Sequence, residues 1–398
     1  MNSDGDNASI FWLYGGAGAG KSALAQSLSE KFQKRDLSAS FFFFRGDSTR
    51  NNGDALIPTL VSQLANILRE FVPLVEERIC KDWDLFTKIY DIQVQELLVE
   101  PLLSLKSRNP QISPPRLIVI DGLDECTNTD VQCLLLRAIA RSLPDIPYPL
   151  RFLITSRPEA HITRVFNHDP ALQKILVQRY NLSDDPDADM DIRRYLEKEF
   201  EVIRKVHRLG EYLSCTWPDQ QAMNSLVERS SGHFIYASTV IRYIQCPKHR
   251  PHDRLEVILR LRLSQEGDQP YAQLDALYGL IFGCVDSQVQ LERICLVLRI
   301  LNFRSKKCGF FSTARDCATT EKLLRIEPGD LILLLDPILS LVAIERGIIR
   351  IYHKTLFDYL LDLDRGGHLP FDLSRVHETA ADYILTEKIA NAACGMFF

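Results

Sequence analysis

Residues 15 to 22 of this chain combine glycines, a lysine and a serine at a spacing that suits phosphate chemistry. The stretch reads GGAGAGKS and fits the pattern of two glycines with four residues between them, Gly15 and Gly20, followed by lysine and serine. Glycines let the backbone curl so that successive N–H groups point at phosphate oxygens. Lys21 can reach the terminal phosphates of a nucleotide, and the Ser22 hydroxyl can ligate Mg²⁺. The predicted nucleotide contacts are Gly15, Gly16, Ala17, Gly18, Ala19, Gly20, Lys21, Ser22 and Ala23.

Such a loop binds phosphate only where it follows a buried strand and opens a helix. The preceding residues, SIFWLY, form a short apolar run typical of a strand. The following residues, SALAQSLSEKFQK, repeat apolar side chains at helical spacing. An ordinary glycine-rich turn would not require either element, so the context favours a phosphate-binding loop over a simple turn.

A second candidate group follows the apolar run of RLIVIDGLDE, in which residues 117–120 predict a buried strand. Asp121 stands at the carboxyl end of that strand, where parallel α/β sheets bind ligands, and is predicted to support Mg²⁺ together with Ser22. Asp124 or Glu125 can orient a water that attacks the terminal phosphate. The alternative is that both acids are solvated at a helix N-terminus, which acidic residues favour.

A third candidate is Arg157, which follows the predicted strand RFLITS. A cation at the end of a core strand beside a phosphate-binding loop can stabilise the charge that develops on a transferring phosphoryl group. The alternative is that it only caps the edge of the sheet. The catalytic candidates are therefore Glu125, Asp124 and Arg157.

The order of elements predicts the fold of the first part of the chain. Helical segments separate the predicted strands, which span residues 10–14, 38–45, 116–121, 151–156 and 174–179. This alternation predicts a doubly wound, mostly parallel α/β sheet, and residues 1–180 are predicted to be one P-loop nucleotide-binding domain. The continuous apolar run in SASFFFFRGD predicts an inner strand of that sheet.

The pattern changes after the acidic turn YNLSDDPDADMD. Residues 181–265 predict helices only, including one region that is broken at Gly232. Residues 266–365 add a β-hairpin, LVAIE and IIRIYH, followed by the helix KTLFDYLLDL, which predicts a winged-helix domain. Residues 366–398 predict the start of a further helical region that is cut short.

Composition limits the possible partners and compartments. The 398 residues are 46% hydrophobic and 25% charged with a net charge of −5, so no basic footprint for nucleic acid is expected. The most apolar run, LILLLDPILSLVAI, is interrupted by Asp336 and Pro337, which excludes a membrane span there. Ten scattered cysteines without a CxxC pair indicate reduced thiols and a cytoplasmic protein.

Five stretches in this order, GGAGAGKS, LIVIDGLDEC, FLITSRP, SSGHFIYAS and YHKTLFDYLLD, resemble a NACHT-type P-loop NTPase of the STAND class. The nephrocystin-like fungal NACHT type is the most similar, and the resemblance extends over residues 8–365. It implies a signalling ATPase that ADP holds closed and that ATP opens into a homo-oligomer. It also implies effector or repeat-domain partners, and because only short flanks are seen, a truncated product or fragment is expected.

The resemblance also assigns a role to His353. Its motif, HKTLFDY, is similar to the family form His-x-Ser-Phe-x-Glu-Phe, whose histidine contacts the β-phosphate of ADP. From the residues alone, His353 is explained by a hydrogen bond that ties the hairpin to the next helix. One position departs from the family. Phe234 stands where many relatives have proline after Gly-x, so a proline contact with adenine is not expected.

Other functions remain open on sequence grounds. An ordinary P-loop ATPase or a kinase-like enzyme would use the same loop, and a nucleotide-binding scaffold would bind without hydrolysis. A kinase needs an acceptor site and an arginine-rich lid, and neither is recognisable. The residues Lys21, Ser22, Asp121 and Glu125 favour a protein that hydrolyses ATP, because each is of the type that hydrolysis requires.

Overall fold

The computed structural model describes residues 9–45, 47, 49–182, 185, 187–261, 271–285, 287–302, 316–367 and 369–370. The chain divides into two compact units, here called unit 1 (Met1–Asp185) and unit 2 (Pro186–Phe398). Outside the described residues lie residues 1–8 of the predicted nucleotide-binding domain, parts of the predicted winged-helix domain and most of the predicted helical region 366–398. The predicted domain boundaries remain predictions.

Unit 1 is built on a five-stranded sheet in the order β2-β3-β4-β1-β5. Every neighbouring pair in this sheet is parallel, so all the strand carboxyl ends lie at one edge. The strands are β1 (Ile10–Tyr14), β2 (Leu37–Phe42), β3 (Leu117–Asp121), β4 (Arg151–Ser156) and β5 (Val177–Asn181). The predicted doubly wound, parallel sheet is therefore confirmed.

Eight helices surround this sheet in the described part of unit 1. They are α1 (Lys21–Phe32), α2 (Leu56–Ile67), α3 (Val72–Lys81), α4 (Tyr90–Val94), α5 (Glu100–Arg108), α6 (Thr129–Ser142), α7 (Ala160–His168) and α8 (Pro170–Gln173). Their apolar faces and the strands form a large buried cluster and a smaller one around Leu13, Ala25, Val119 and Leu153, since helices crossing between parallel strands must cover both sheet faces. The strand β3 is an inner strand of this sheet and is buried at four of its five positions.

One strand is not where its sequence predicted. The apolar run of β2 predicts an inner strand, but β2 lies at the edge of the sheet. Its outer edge is covered by Gln63 of α2, whose side-chain amide accepts the Ser40 N–H at 2.8 Å and donates to the Ser40 carbonyl at 2.9 Å. This side chain stands in for a neighbouring strand, which explains how an apolar strand can sit at an edge.

Two predicted strand boundaries also differ from the structure. The strand β2 ends at Phe42 because the next residues turn, with the Phe44 N–H bonded to the Arg50 carbonyl at 2.9 Å. The strand β5 begins at Val177, three residues later than predicted, because the short helix α8 ends at Gln173 and the chain turns over residues 174–176 before the strand starts. Pro170 opens α8, and the Asp169 carboxylate caps it by accepting the Ala171 N–H.

Unit 2 is mainly helical in its described part and contains one β-hairpin. Its helices are α9 (Ala188–Val206), α10 (Gln220–Ser230), α11 (Phe234–Ile244), α12 (Pro251–Arg260), α13 (Ala272–Gly283), α14 (Gln288–Asn302), α15 (Cys317–Leu324), α16 (Asp330–Leu335), α17 (Thr355–Leu361) and α18 (Leu363–Gly366). The predicted break at Gly232 is confirmed: α10 ends before it, and Gly232 has a φ of 73° that suits glycine.

The hairpin pairs β6 (Val342–Glu345) with β7 (Ile348–Ile351) in antiparallel register. Arg346 and Gly347 form its turn with positive φ angles of 52° and 77°. The helix α17 follows, so the arrangement is the one predicted for a winged helix. No helix in the described ranges is long and apolar enough to cross a membrane.

Candidate functional site

The loop of residues 15–20 joins β1 to α1 in the conformation that its glycines predict. Gly18 and Gly20 have φ angles of 80° and 92°, in the left-handed region that favours glycine. Gly20 is the N-cap of α1 and offers no side chain to its amides, and the first turn of α1 has no acidic residue. The amides at this helix start therefore face the loop without a side-chain acceptor from the cap, as an anion site requires.

Lys21 lies across the loop that precedes it. Its ammonium donates to the carbonyl oxygens of Gly15 at 2.8 Å and Gly16 at 2.7 Å. These contacts fold the lysine side chain back over the loop. The ammonium is also close enough to Asp121 to favour the ionised carboxylate electrostatically.

Asp121 lies at the carboxyl end of β3 and is hydrogen-bonded by two hydroxyls. The Thr155 hydroxyl contacts its Oδ1 at 2.5 Å, and the Ser22 hydroxyl also bonds this carboxylate. Burial raises the pKa of Asp121, whose side chain is almost fully enclosed, while these hydroxyls and Lys21 oppose that rise. The structure thus brings Lys21, Ser22 and Asp121 together, as the sequence predicts.

Asp124 is buried next to the end of β4. Its Oδ1 accepts the backbone N–H of Arg157 at 3.0 Å, and its Oδ2 lies 3.6 Å from Nε of the same arginine. The two catalytic candidates Asp124 and Arg157 therefore form one pair at the carboxyl edge of the sheet. The alternative considered from the sequence, that Asp124 is a solvated acid at a helix start, does not fit, because the residue is only 5% exposed.

Glu125 ends the short 3₁₀ turn Leu123–Glu125 and reaches in another direction. Its Oε2 accepts the backbone N–H of Arg45 at 2.8 Å, just beyond the end of β2. The Arg45 guanidinium also donates to the Asp124 carbonyl at 3.3 Å. Glu125 is thus held at the same edge of the sheet as Asp124.

Strand order determines which groups meet at this edge. Because β4 lies between β1 and β3, its carboxyl end stands between the loop after β1 and Asp121 after β3. The Trp12 indole of β1 fixes β4 from the other side by donating to the Ser156 hydroxyl at 2.9 Å. Trp12 also stacks on Phe166 of α7, with ring centroids 4.1 Å apart, which packs β1 against that helix.

The residues at this edge fit Mg²⁺ by their donor chemistry. Mg²⁺ prefers hard oxygen ligands and is usually held by one or two protein groups together with phosphates and waters. The Ser22 hydroxyl and the Asp121 carboxylate supply two oxygens that already contact each other. Among the described residues, no cluster of three or more His, Cys, Asp or Glu side chains could hold a metal by itself, and a P-loop site does not need one.

In unit 2, His353 follows β7 and is tied to the start of α17. Its Nδ1 accepts the Thr355 backbone N–H at 3.3 Å and lies 2.9 Å from the Thr355 hydroxyl. The hydroxyl of buried Tyr278 lies 2.8 Å from that same Thr355 hydroxyl. Because Nδ1 is an acceptor, the neutral ring carries its proton on Nε2. The local tie predicted from sequence is present, and the phosphate contact stays a prediction.

Sequence reasoning named Thr155 only as part of a strand end and gave no role to Arg45. The sequence did contain a signal for Thr155. It lies two residues before the candidate Arg157, and residues two apart in extended chain point to the same face. The Arg45 contact depends on the neighbouring positions of β2 and β3, which no local pattern reveals.

The motif, the parallel sheet and the geometry at its carboxyl edge define unit 1 as a P-loop NTPase domain. Within that class, residues 1–157 match the family model described as Nephrocystin 3, N-terminal. The matched segment includes the loop, Asp121, Asp124, Glu125 and Arg157. The resemblance to nephrocystin-like P-loop proteins is therefore confirmed for this part of the chain. No curated protein matches the sequence.

Among solved structures, this chain is similar to the ORC2 protein of Aeropyrum pernix in ADPNP–ADP complexes, with 13% identity and a TM-score of 0.36 over 96% of this chain and 89% of that one. It is also similar to Cdc6p from Pyrobaculum aerophilum, with 11% identity and a TM-score of 0.37 over 88% and 85%. A third is Drosophila ORC bound to DNA, with 13% identity and a TM-score of 0.35 over 94% and 93%.

Proposed function

We propose that the protein is an ATP- and ADP-binding signalling switch of the NACHT/STAND class that hydrolyses ATP slowly. The observation that carries this proposal is the convergence of Lys21, Ser22 and Asp121 at the carboxyl edge of a parallel sheet. The match of residues 1–157 to the nephrocystin family model supports it independently.

Each residue of the site has a separate task in this proposal. The loop amides of residues 15–23 and the Lys21 ammonium bind phosphate oxygens. Ser22 and Asp121 would hold Mg²⁺, which neutralises charge on the phosphates when it is bound. Glu125 orients the attacking water, with Asp124 as its alternative, and Arg157 stabilises charge on the terminal phosphate.

The switch itself requires that the two nucleotides favour different forms. Moving a two-state equilibrium from 1:99 to 99:1 takes about 5.5 kcal/mol of differential affinity. A group from unit 2 that contacts only one nucleotide can supply part of this difference. The proposed group is His353, whose Nε2–H would donate to the β-phosphate of ADP in the closed form.

The remaining assignments are also proposals. The ATP-bound form assembles into a homo-oligomer and engages effector or repeat-domain partners, in the cytoplasm. No nucleic acid and no membrane take part. The net charge of −5 supports the first of these, since nucleic-acid binding depends on basic surface.

The test has two parts. The first identifies the nucleotide that co-purifies with the full chain. The second measures the mass of the protein by light scattering with Mg²⁺ and either ADP or a non-hydrolysable ATP analogue. We expect bound ADP, a monomer with ADP and a larger species with the analogue. The same mass with both nucleotides contradicts the switch. Rapid phosphate release or phosphorylation of a small acceptor would favour an ordinary enzyme, and binding without any release would favour a scaffold.

A further inference from the structure

Thr155 lies on β4, the strand between β3, which carries Asp121, and β1, which precedes the phosphate-binding loop. It is 0% exposed, and Asp121 beside it is 3% exposed. The β3–β4 register pairs Ile120 with Ile154, which places the next residues, Asp121 and Thr155, side by side. A side chain with a branched Cβ is stiff at this position, so its hydroxyl is held in place by the strand itself.

The hydrogen bonds of this hydroxyl have a defined direction. Gly122 donates its backbone N–H to Thr155 Oγ1 at 2.9 Å, so the oxygen acts as an acceptor there. A hydroxyl has a single proton, and the contact of Oγ1 with Asp121 Oδ1 at 2.5 Å uses it. Thr155 therefore donates to the carboxylate and simultaneously accepts from the turn that follows it.

These two bonds affect both the Asp121 carboxylate and the turn that follows it. One lone pair of Asp121 Oδ1 is occupied, which fixes the plane of the carboxylate relative to Ser22 and Lys21. The second bond holds Gly122, whose φ of 68° begins the turn that carries Asp124 and Glu125. A loss of the hydroxyl would leave the Gly122 N–H and the carboxylate without this shared partner.

We infer that Thr155 is a positioning residue that orients the Asp121 carboxylate toward a Mg²⁺ bound with nucleotide, an inference that rests on the proposed nucleotide site. Thr155 itself touches neither metal nor phosphate in this account. It acts as the outer partners of metal ligands do, whose removal typically reduces metal affinity by about 10- to 100-fold.

The experiment uses the full chain and compares Thr155→Val, which keeps the shape of the side chain and removes the hydroxyl, with wild type. Binding of a non-hydrolysable ATP analogue is measured over a Mg²⁺ series and with chelator. We expect the Mg²⁺ concentration for half-maximal effect to rise by about 10-fold or more in Thr155→Val. Affinity in chelator is expected to stay the same.

Ser156→Ala is the matched control. Ser156 is also 0% exposed on β4, and it loses a buried hydrogen bond of similar length, the one from Trp12. Both variants are expected to lower the melting temperature, and only Thr155→Val is expected to change the Mg²⁺ dependence. Equal Mg²⁺ dependence of Thr155→Val, Ser156→Ala and wild type would overturn the inference.

Two further outcomes are covered by the design. If Thr155→Val does not fold, Thr155→Ser and Thr155→Ala replace it, because these two also differ only by the hydroxyl. The serine variant is then expected to behave as wild type and the alanine variant to require more Mg²⁺; identical behaviour overturns the inference. A wild-type protein that binds no nucleotide contradicts the proposed function itself, which separates that failure from this one.

Discussion

Arg157 contacts the Asp124 carboxylate at both of its oxygens, through its backbone N–H at 3.0 Å and through Nε at 3.6 Å. The pair lies at the end of β4, where the arginine side chain is 22% exposed and the aspartate side chain 5%. A predicted phosphate-sensing cation and a predicted acid are thus one unit in the structure, and a change in either alters the other.

A double-mutant cycle with Arg157→Ala and Asp124→Asn tests this coupling. Because the residues share direct contacts, we expect an interaction free energy of about 0.5–3 kcal/mol in the unfolding of the protein without nucleotide. Denaturant unfolding of wild type, both single variants and the double variant measures it. Additive effects would mean that the guanidinium does not stabilise Asp124.

Glu125→Gln is expected to slow ATP hydrolysis by about 10²- to 10⁴-fold while it leaves Mg²⁺-nucleotide binding intact. The amide keeps the hydrogen bond from the Arg45 N–H, because its oxygen can still accept, but it cannot take up a proton. Single-turnover phosphate release measures hydrolysis, and equilibrium binding gives the comparison. If Asp124→Asn is the slow variant and Glu125→Gln is not, the two roles must be exchanged.

Asp121→Asn is expected to leave the nucleotide-free protein at least as stable as wild type at neutral pH. Burial raises the pKa of Asp121, so its ionised form contributes no stability there. A raised pKa stabilises the fold below the ordinary pKa of aspartate, and that contribution disappears as the pH rises through the raised value. The stability advantage of the variant should therefore shrink as the pH falls.

Thermal unfolding of Asp121→Asn and wild type over a pH series, without nucleotide, checks this expectation. Mg²⁺ with nucleotide should then stabilise wild type more than the variant, because a bound ligand raises stability according to its affinity. If Asp121→Asn is clearly less stable than wild type at neutral pH, burial of the ionised carboxylate does not cost stability. If Mg²⁺ with nucleotide raises the melting temperature of both proteins equally, Asp121 does not support Mg²⁺ binding.

His353→Ala is expected to weaken ADP binding more than ATP binding and to shift the protein toward its assembled form. An imidazole N–H to a phosphate oxygen contributes about 1.5–3 kcal/mol. Calorimetry with each nucleotide measures the difference. Equal losses for the two nucleotides, with the closed form still dominant, would leave His353 only its tie to α17.

Thr355→Val distinguishes the bond that sets the tautomer of His353 from the link between Thr355 and Tyr278. Imidazole ¹⁵N chemical shifts report which ring nitrogen is protonated, and we expect Nε2 in wild type because Nδ1 accepts the Thr355 N–H. The backbone amide remains in the variant, so the tautomer should persist while the link to Tyr278 is lost. A proton on Nδ1 in wild type would contradict the orientation proposed for His353.

The parts of the site that follow from local sequence were predicted correctly in position. A strand, a glycine loop and a helix adjoin in sequence, so residues 10–32 already determine where Lys21 and Ser22 stand. The contacts of Thr155 with Asp121 and of Arg45 with Glu125 depend on which strands are neighbours, and strand order is set by packing across the whole sheet. For the same reason β2 was placed wrongly: the side chain that covers its edge, Gln63, lies on a helix after it.

The central claim is that the loop of residues 15–22 binds the phosphates of a nucleotide through Lys21, and the most direct measurement is the Kd for ADP of wild type and of Lys21→Ala. Lys34→Ala, which removes the same charge from an exposed position after α1, is the control. We expect Lys21→Ala to weaken binding by about 10- to 100-fold, since a charged hydrogen-bond partner is lost, and Lys34→Ala to bind as wild type. An unchanged Kd in folded Lys21→Ala would contradict the account.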